Sequence, residues 1–380
     1  MSKNGLLVIT ELFLPTKGGT AVWFDEVYRR LGGKEIHIVT ARVPDCETHD
    51  RDHPNTVHRL RLQRHWWLRP ESLAMYAKFL ARSLAVTLRH PIAAVHAGRV
   101  LPEGLVGLIV ARLCGKPLVV YAHGEEITGW RQPAKFRAMV FTYRHADTVI
   151  ANSDFTRREL LKIGVPEQRI VKISPGVDVA RFRPGLPTRD LFQRLNIPPD
   201  TPLILSVGRL SPRKGFDQVI RALPRVLERI PAAHYAVIGI GGDEARLKNL
   251  AQECRVSERV HFLGHVFMAE LPRWYNACSV FAMPNREING DNEGFGMVFL
   301  EAGACGRPSL AGIAGGTGDA VAEGITGLRV DGSSVAAVAE GLVLLLTRPP
   351  RADISEYIRS RHSWEQVADR TRKLPQVQSR

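Results

Sequence analysis

Cysteine is scarce and scattered. Its five occurrences, at 46, 114, 254, 278 and 305, include no Cys-x-x-Cys pair. That excludes a disulfide framework and predicts reduced thiols in a cytoplasm. Cys278 and Cys305 lie in apolar surroundings and read as buried packing residues. Long apolar runs are missing as well. The best candidate, "GLVGLIVARLCG", is broken by Arg112, so nothing reaches the ~20 residues that a membrane span needs. The early run Gly5–Ile9 is too short for the apolar core of a secretory leader. Acidic residues are in deficit: 38 Asp and Glu face 52 Lys and Arg, a net charge of +14. An anionic partner fits that balance, whether nucleic acid, acidic lipid or a phosphorylated substrate. No reading helix, zinc spacing or base-stacking motif accompanies the charge, so nucleic acid has composition alone behind it.

What is present is an alternation of short apolar runs and helical patterns. "LLVIT", "EIHIVT", "PLVVYAH" and "DTVIANS" are followed by "PLILSVG", "HYAVIGI", "RVHFLG" and "SVFAMP". Such alternation predicts parallel α/β sheets. The length of 380 residues suggests two or three domains. Residues 184–202, rich in proline and polar groups, are expected to link an N-terminal domain at 1–183 to a C-terminal one at 203–354. A last helix at about 355–380 is expected to pack back on the first. The fold class is therefore α/β, with two facing, doubly wound, Rossmann-like domains whose strand ends line an interdomain cleft.

The segment "EGFGMVFLE" sets Glu293 and Glu301 eight positions apart. A helix starting near Phe295 or Gly296 would turn free backbone N–H groups toward the preceding loop. Glycines at 294 and 296 would let a ligand approach the backbone. The two acids repel phosphate but accept hydrogen bonds from sugar hydroxyls. A bland alternative, a helix reached through a flexible glycine loop, fits the spacing equally well. "SVGRLSPRKG" places Arg209 and Lys214 just past a strand, where two cations can grip a diphosphate and stabilise it as it leaves. Gly18 and Gly19 open the first helix, with backbone that could meet an anion. A phosphate core flanked by hydroxyl-bearing groups is a nucleotide sugar. Gly239-x-Gly241 does not complete a dinucleotide fingerprint, because position 244 is Glu244. Asp50 and Asp52 in "DRD" read as solvated loop charge, and no metal site is expected.

Gly18-Gly19, "GVDVARFRP" (176–184), "GRLSPRKG" (208–215) and the Glu-x7-Glu of 293–301, in that order, resemble the large GT-B family of retaining glycosyltransferases. "AHGEEITGW" and "FAMPNREINGDNEGFGMVFLEAGACGRP" look most like the bacterial GDP-mannose-dependent phosphatidylinositol-mannoside mannosyltransferases. The resemblance implies that Arg209 and Lys214 bind the donor diphosphate, Glu293 the hydroxyls of the transferred sugar and Glu301 those of the ribose. Gly294, Phe295, Gly296, Met297 and Val298 would line the donor, Val266 would lie beside the base, and His123 near the sugar and the acceptor oxygen. It also implies front-face transfer without metal or other cofactor. Where relatives often carry a glutamate in "GGxxE", this chain has Asp319.

Between Arg59 and Arg89 stand seven Lys and Arg against one acid, Glu71, with adjacent Trp66 and Trp67. From Ser72 to Leu88 the spacing predicts a helix with Leu73, Tyr76, Leu80 and Leu84 on one face, and Lys78, Arg82 and Arg89 opposite. An anionic membrane surface is a candidate partner for this segment, alongside a helix merely packed on its own domain. The expected reaction moves a hexose, mannose from GDP-mannose, to a lipid-linked or polysaccharide acceptor, in the cytoplasm or at the inner membrane face. A UDP-sugar donor is the alternative; an epimerase and a nucleic-acid-binding protein are the remaining ones. Oligomeric state is not legible.

Overall fold

A computed structural model describes residues 5–63 and 71–374. Of these, the residues up to Pro175 and those from Trp364 onward form one compact unit, and Gly176–Ser363 form a second. Each is built on one sheet.

In the first unit the strands are β1 (Gly5–Ile9), β2 (Ile36–Ala41), β3 (Thr56–Leu60), β4 (Ile92–Ala97), β5 (Leu118–Ala122), β6 (Thr148–Ala151) and β7 (Ile170–Lys172). Their order in the sheet is β3-β2-β1-β4-β5-β6-β7, with every pairing parallel. The runs "GLLVI" and "LVVYA" are buried throughout, as a parallel sheet covered by helices on both faces requires. Chain order reverses at β1, which lies between β2 and β4, so the loops after β1 and β4 open a crevice at their carboxyl ends.

The second unit repeats the plan with β8 (Leu203–Val207), β9 (His234–Ile238), β10 (Val260–Gly264), β11 (Val280–Met283), β12 (Ser309–Gly312) and β13 (Gly327–Val330). Their order is β10-β9-β8-β11-β12-β13, again wholly parallel, and the reversal falls between β8 and β11. One face of this sheet packs on Trp274, Tyr275, Phe299 and Leu300, and the other on Phe216, Val219 and Leu223.

Three expectations need correction. Residues 184–202 do not form a bare linker: the helix Arg189–Arg194 buries Leu191 and Phe192 in the second unit's core, with Leu195 and Ile197 beside them. Apolar residues spaced between the prolines outweighed the prolines themselves. The division falls instead after Pro175. The C-terminal stretch is split, since the helix Ile354–His362 belongs to the second unit and Trp364–Arg372 to the first.

The helix Leu73–Arg89 buries Met75, Phe79 and Val86, with Tyr76, Leu80 and Leu84 partly buried beside them and Leu73 exposed. Its inward face is therefore turned from the one expected. Nor is its basic face free: Arg82 donates to His58 Nδ1 at 2.7 Å and Lys78 to the Arg61 carbonyl at 2.6 Å. Trp66 and Trp67 lie outside the described residues.

Candidate active site at the second switch point

Lys214 and Glu293 meet beyond the carboxyl ends of β8 and β11. Lys214 Nζ donates to Glu293 Oε2 at 2.8 Å, and Arg213 Nη1 donates to the same oxygen at 2.7 Å. Local structure fixes both partners. Pro212–Lys214 make a single 3-10 turn after β8, and Gly215 passes into the helix Phe216–Arg229. Glu293 closes the loop after β11, and its carbonyl accepts the Gly316 N–H at 2.8 Å. Gly315 has φ +73°, and a Cβ there would stand 2.2 Å from the Glu293 oxygen. Only glycine lets these loops touch.

The Glu293 side chain is 12% exposed. Burial alone would raise its pKa, but Lys214 and Arg213 overcome that and hold it down to about 2. The group is a carboxylate at any physiological pH. Glu301 is the opposite case. Burial raises its pKa, and a 2.6 Å hydrogen bond from the Tyr275 hydroxyl opposes the rise in part.

The helix runs from Met297 to Ala304 with Gly296 as N-cap, one residue later than the latest expected start. Phe295 and Gly296 are buried, while Gly294, Met297 and Val298 are half-buried. Arg209 follows β8 and is exposed, and no described residue pairs with its guanidinium. Val266 follows β10 and is partly packed on the core. Arg209, Lys214, Val266 and the 293–301 segment thus all belong to the carboxyl-end rim of one sheet.

Gly18, Gly19 and His123 belong to the first unit. Gly18 caps the helix Gly19–Leu31, and a Cβ there would meet nothing within 4 Å. His123 ends the β5 run. Its Nε2 donates to the Gly98 carbonyl at 2.8 Å, and its backbone N–H reaches Glu126 Oε1 at 2.9 Å. Trp23 stands edge-on to its ring at 5.8 Å. Burial lowers the His123 pKa against the pull of Glu126, which leaves a neutral ring whose Nε2 proton is committed.

Sequence reasoning overlooked several residues here. Arg213 stood beside Lys214 in "SPRKG", but nothing in the spacing said which cation would face Glu293. Asn285 is buried, accepts the Gly312 N–H at 3.0 Å and donates to the Ala314 carbonyl at 2.7 Å, tying the loops after β11 and β12 together. Arg286 clamps Asp217 with two bonds of 3.0 and 2.8 Å. Asp319 ends the one-turn helix Thr317–Asp319. Gly239 and Gly241 serve packing, since a Cβ at 239 would stand 1.8 Å from the Gly208 oxygen.

Asp50 is not solvated loop charge. It lies on the short helix Cys46–Arg51 and takes bonds from Arg59 at 2.9 and 2.8 Å. Beside it, buried Asp25 Oδ1 faces His49 Nε2 at 3.0 Å and His53 Nε2 at 3.1 Å. These three residues could offer ligands to a metal, and they also hydrogen-bond one another and their neighbours. His53 Nδ1 accepts the Asn55 N–H at 3.2 Å, so the neutral ring carries its proton on Nε2, toward Asp25. His49 lies between Asp25 and Asp50, and its bond to Asp25 raises its pKa against the opposing effect of burial. The arrangement is an ion-paired clamp.

Two such sheets, with cations and a nearly buried carboxylate at the second switch point, have the plan of a GT-B glycosyltransferase. The sequence profile "Glycosyl transferases group 1" matches residues 187–361, and "Glycosyltransferase Family 4" matches 17–181. The chain belongs to this family. It is 32% identical over 374 residues to the GDP-mannose-dependent alpha-(1-6)-phosphatidylinositol monomannoside mannosyltransferase of Mycobacterium tuberculosis, covering 96% of each chain. A Corynebacterium glutamicum mannosyltransferase named for the monoacylated form of that acceptor is 30% identical over 98% of each chain. Among solved structures, Anabaena HepE in complex with UDP and glucose matches with TM-score 0.80 at 20% identity, covering 97% of this chain and 98% of that one. Sucrose-phosphate synthase from Thermosynechococcus elongatus matches with TM-score 0.79 at 22% identity, covering 97% of each. No helix among the described residues is long and apolar enough to cross a membrane.

Proposed function

We propose that this glycosyltransferase moves mannose from GDP-mannose to a lipid-linked acceptor with retention of configuration. The observation that carries the reading is the convergence of Lys214, Arg213 and ionised Glu293 at the β8–β11 switch point. Arg209 and Lys214 grip the donor diphosphate and stabilise its charge as the bond to the sugar breaks. Glu293 accepts hydrogen bonds from the sugar hydroxyls, and Glu301 from the ribose. Val266 lies by the base, Gly294–Val298 line the donor, and Gly18 and Gly19 approach the diphosphate. The acceptor hydroxyl attacks from the face that the diphosphate leaves, and the departing phosphate oxygen takes its proton. No metal is needed for that step. His123, neutral and fixed by Gly98, positions sugar and acceptor without removing the proton.

The mannosyl donor and lipid acceptor are supported by the names of the relatives at 30–32% identity. A UDP-sugar donor is the second reading, supported by UDP in the HepE complex. A lipid acceptor implies work at the inner face of a membrane. Exposed Leu88, Leu113 and Phe141, near Arg89, Arg112 and Arg144 in sequence, support an anionic surface as partner. A thermal-shift panel of GDP- and UDP-sugars tests the donor. Stabilisation by GDP-mannose above the UDP-sugars is expected, and the reverse order would transfer the assignment to the second reading.

A further inference from the structure

Glu293 is held by two cations through one oxygen, and the donor reading gives one of those cations other work. Lys214 has three N–H donors, so a diphosphate at its ammonium would share the lysine with Glu293, now at 2.8 Å, and draw part of its charge away from the acid. Its stem lies along Gly208, where a Cβ would stand 3.2 Å from Lys214 Cδ, so the ammonium swings from a fixed base. If Lys214 were the sole partner, that sharing would leave a nearly buried carboxylate under-compensated and raise its pKa. A protonated Glu293 would lose an acceptor and repel no anion, and would hold the sugar differently.

Arg213 is placed to prevent this. Its Nη1 donates to Glu293 Oε2 at 2.7 Å, and its Nε faces Asp291 Oδ2 at 3.1 Å. The guanidinium is thus braced from a second direction by the same loop that carries Glu293. Its backbone carbonyl accepts the Arg286 N–H at 2.9 Å, and Arg286 is itself clamped to Asp217. Unlike the Lys214 ammonium, a planar guanidinium held at two edges has little freedom to follow a phosphate. We propose that Arg213 is a positioning residue, which keeps the Glu293 carboxylate fixed and charge-balanced while the donor diphosphate draws on Lys214. The inference rests on the donor reading above and adds a division of labour between adjacent cations. Arg213 stays with the acid, and Lys214 is shared between acid and phosphate.

The test is a 13C NMR titration of the Glu293 carboxyl in the full chain, free and saturated with GDP or UDP, in wild type, Arg213→Met and Arg213→Lys. Wild-type Glu293 should remain ionised down to about pH 2–3 in both states. In Arg213→Met the free protein should shift modestly, because Lys214 remains. The nucleotide-bound form should shift upward by more than about one pH unit, and Arg213→Lys should recover most of that. Nucleotide affinity itself should change little, since Arg213 does not touch the phosphate. Should Arg213→Met fail to fold, the lysine variant carries the test, with a smaller upward shift expected in the bound form. A variant that binds nucleotide while Glu293 titrates as in wild type would overturn the inference and leave the donor reading intact. Failure of wild type to bind either nucleotide would overturn both.

Discussion

Tyr275 reaches Glu301 from 26 positions earlier in the chain, its hydroxyl donating to Oε2 at 2.6 Å. The tyrosine comes from the helix Leu271–Ala277 and the glutamate from Met297–Ala304. The bond occupies one carboxyl oxygen, so the proposed ribose contact falls to the other. Tyr275→Phe removes the donor, and the Glu301 pKa, already raised, should rise further. We expect GDP affinity to fall by about 1–2 kcal/mol, roughly 5- to 30-fold. Isothermal titration of GDP into the variant checks it, and an unchanged affinity would remove Glu301 from the ribose.

Glu293→Ala should abolish transfer while the fold persists. The substitution removes the proposed acceptor of the sugar hydroxyls and leaves Lys214 and Arg213 without their shared anion. Circular dichroism should match wild type. Transfer at more than a few per cent of the wild-type rate would refute the assigned role.

Acid should weaken the protein through its paired histidines. His58 accepts from Arg82 and lies 3.1 Å from His37; His234 accepts from Arg259 and lies 2.8 Å from His261. Burial, then neighbouring cationic groups, lowers His37, His58 and His234 to about 4. The unfolded chain takes up protons near 6.5 and the folded chain only near 4, so stability is full above 6.5 and is lost as pH falls through that window. Urea midpoints measured across pH 7 to 4 should decline steadily. A flat profile would show that the rings titrate alike in the folded and unfolded chain.

Asp25 bears on whether the histidine cluster is a clamp or a metal centre. Asp25→Asn leaves His49, His53 and Arg29 without their shared carboxylate, and should cost about 2–4 kcal/mol of stability. The wild-type melting temperature should be indifferent to chelator or added zinc. A rise of several degrees with zinc would contradict the proton assignment.

Much of this was readable in the chain and some was not. Buried parallel strands announce themselves as apolar runs, so both sheets were expected from "LLVIT" through "SVFAMP". The relation of Glu293 to the glycine loop was visible because helix N-termini and glycines are local features. The inward face of Leu73–Arg89 was misjudged, since Met75 and Phe79 compete with Leu73 for the core and only packing decides. Residues 184–202 looked like a linker because prolines are conspicuous, while Leu191 and Phe192, which anchor the segment, are not. Arg213, Tyr275 and the histidine pairs depend on contacts between distant segments, which no local spacing encodes.

The most direct test of the central claim is a calorimetric titration of GDP and UDP into wild type, Arg209→Ala and Lys214→Ala. Arg209 is exposed and pairs with no described residue, so its loss should leave the melting temperature unchanged while nucleotide affinity drops about tenfold or more. Lys214→Ala should lose at least as much. Wild type should bind a nucleoside diphosphate, with GDP preferred. Binding that survives unchanged in both variants, or a wild type that binds neither nucleotide, would contradict the account.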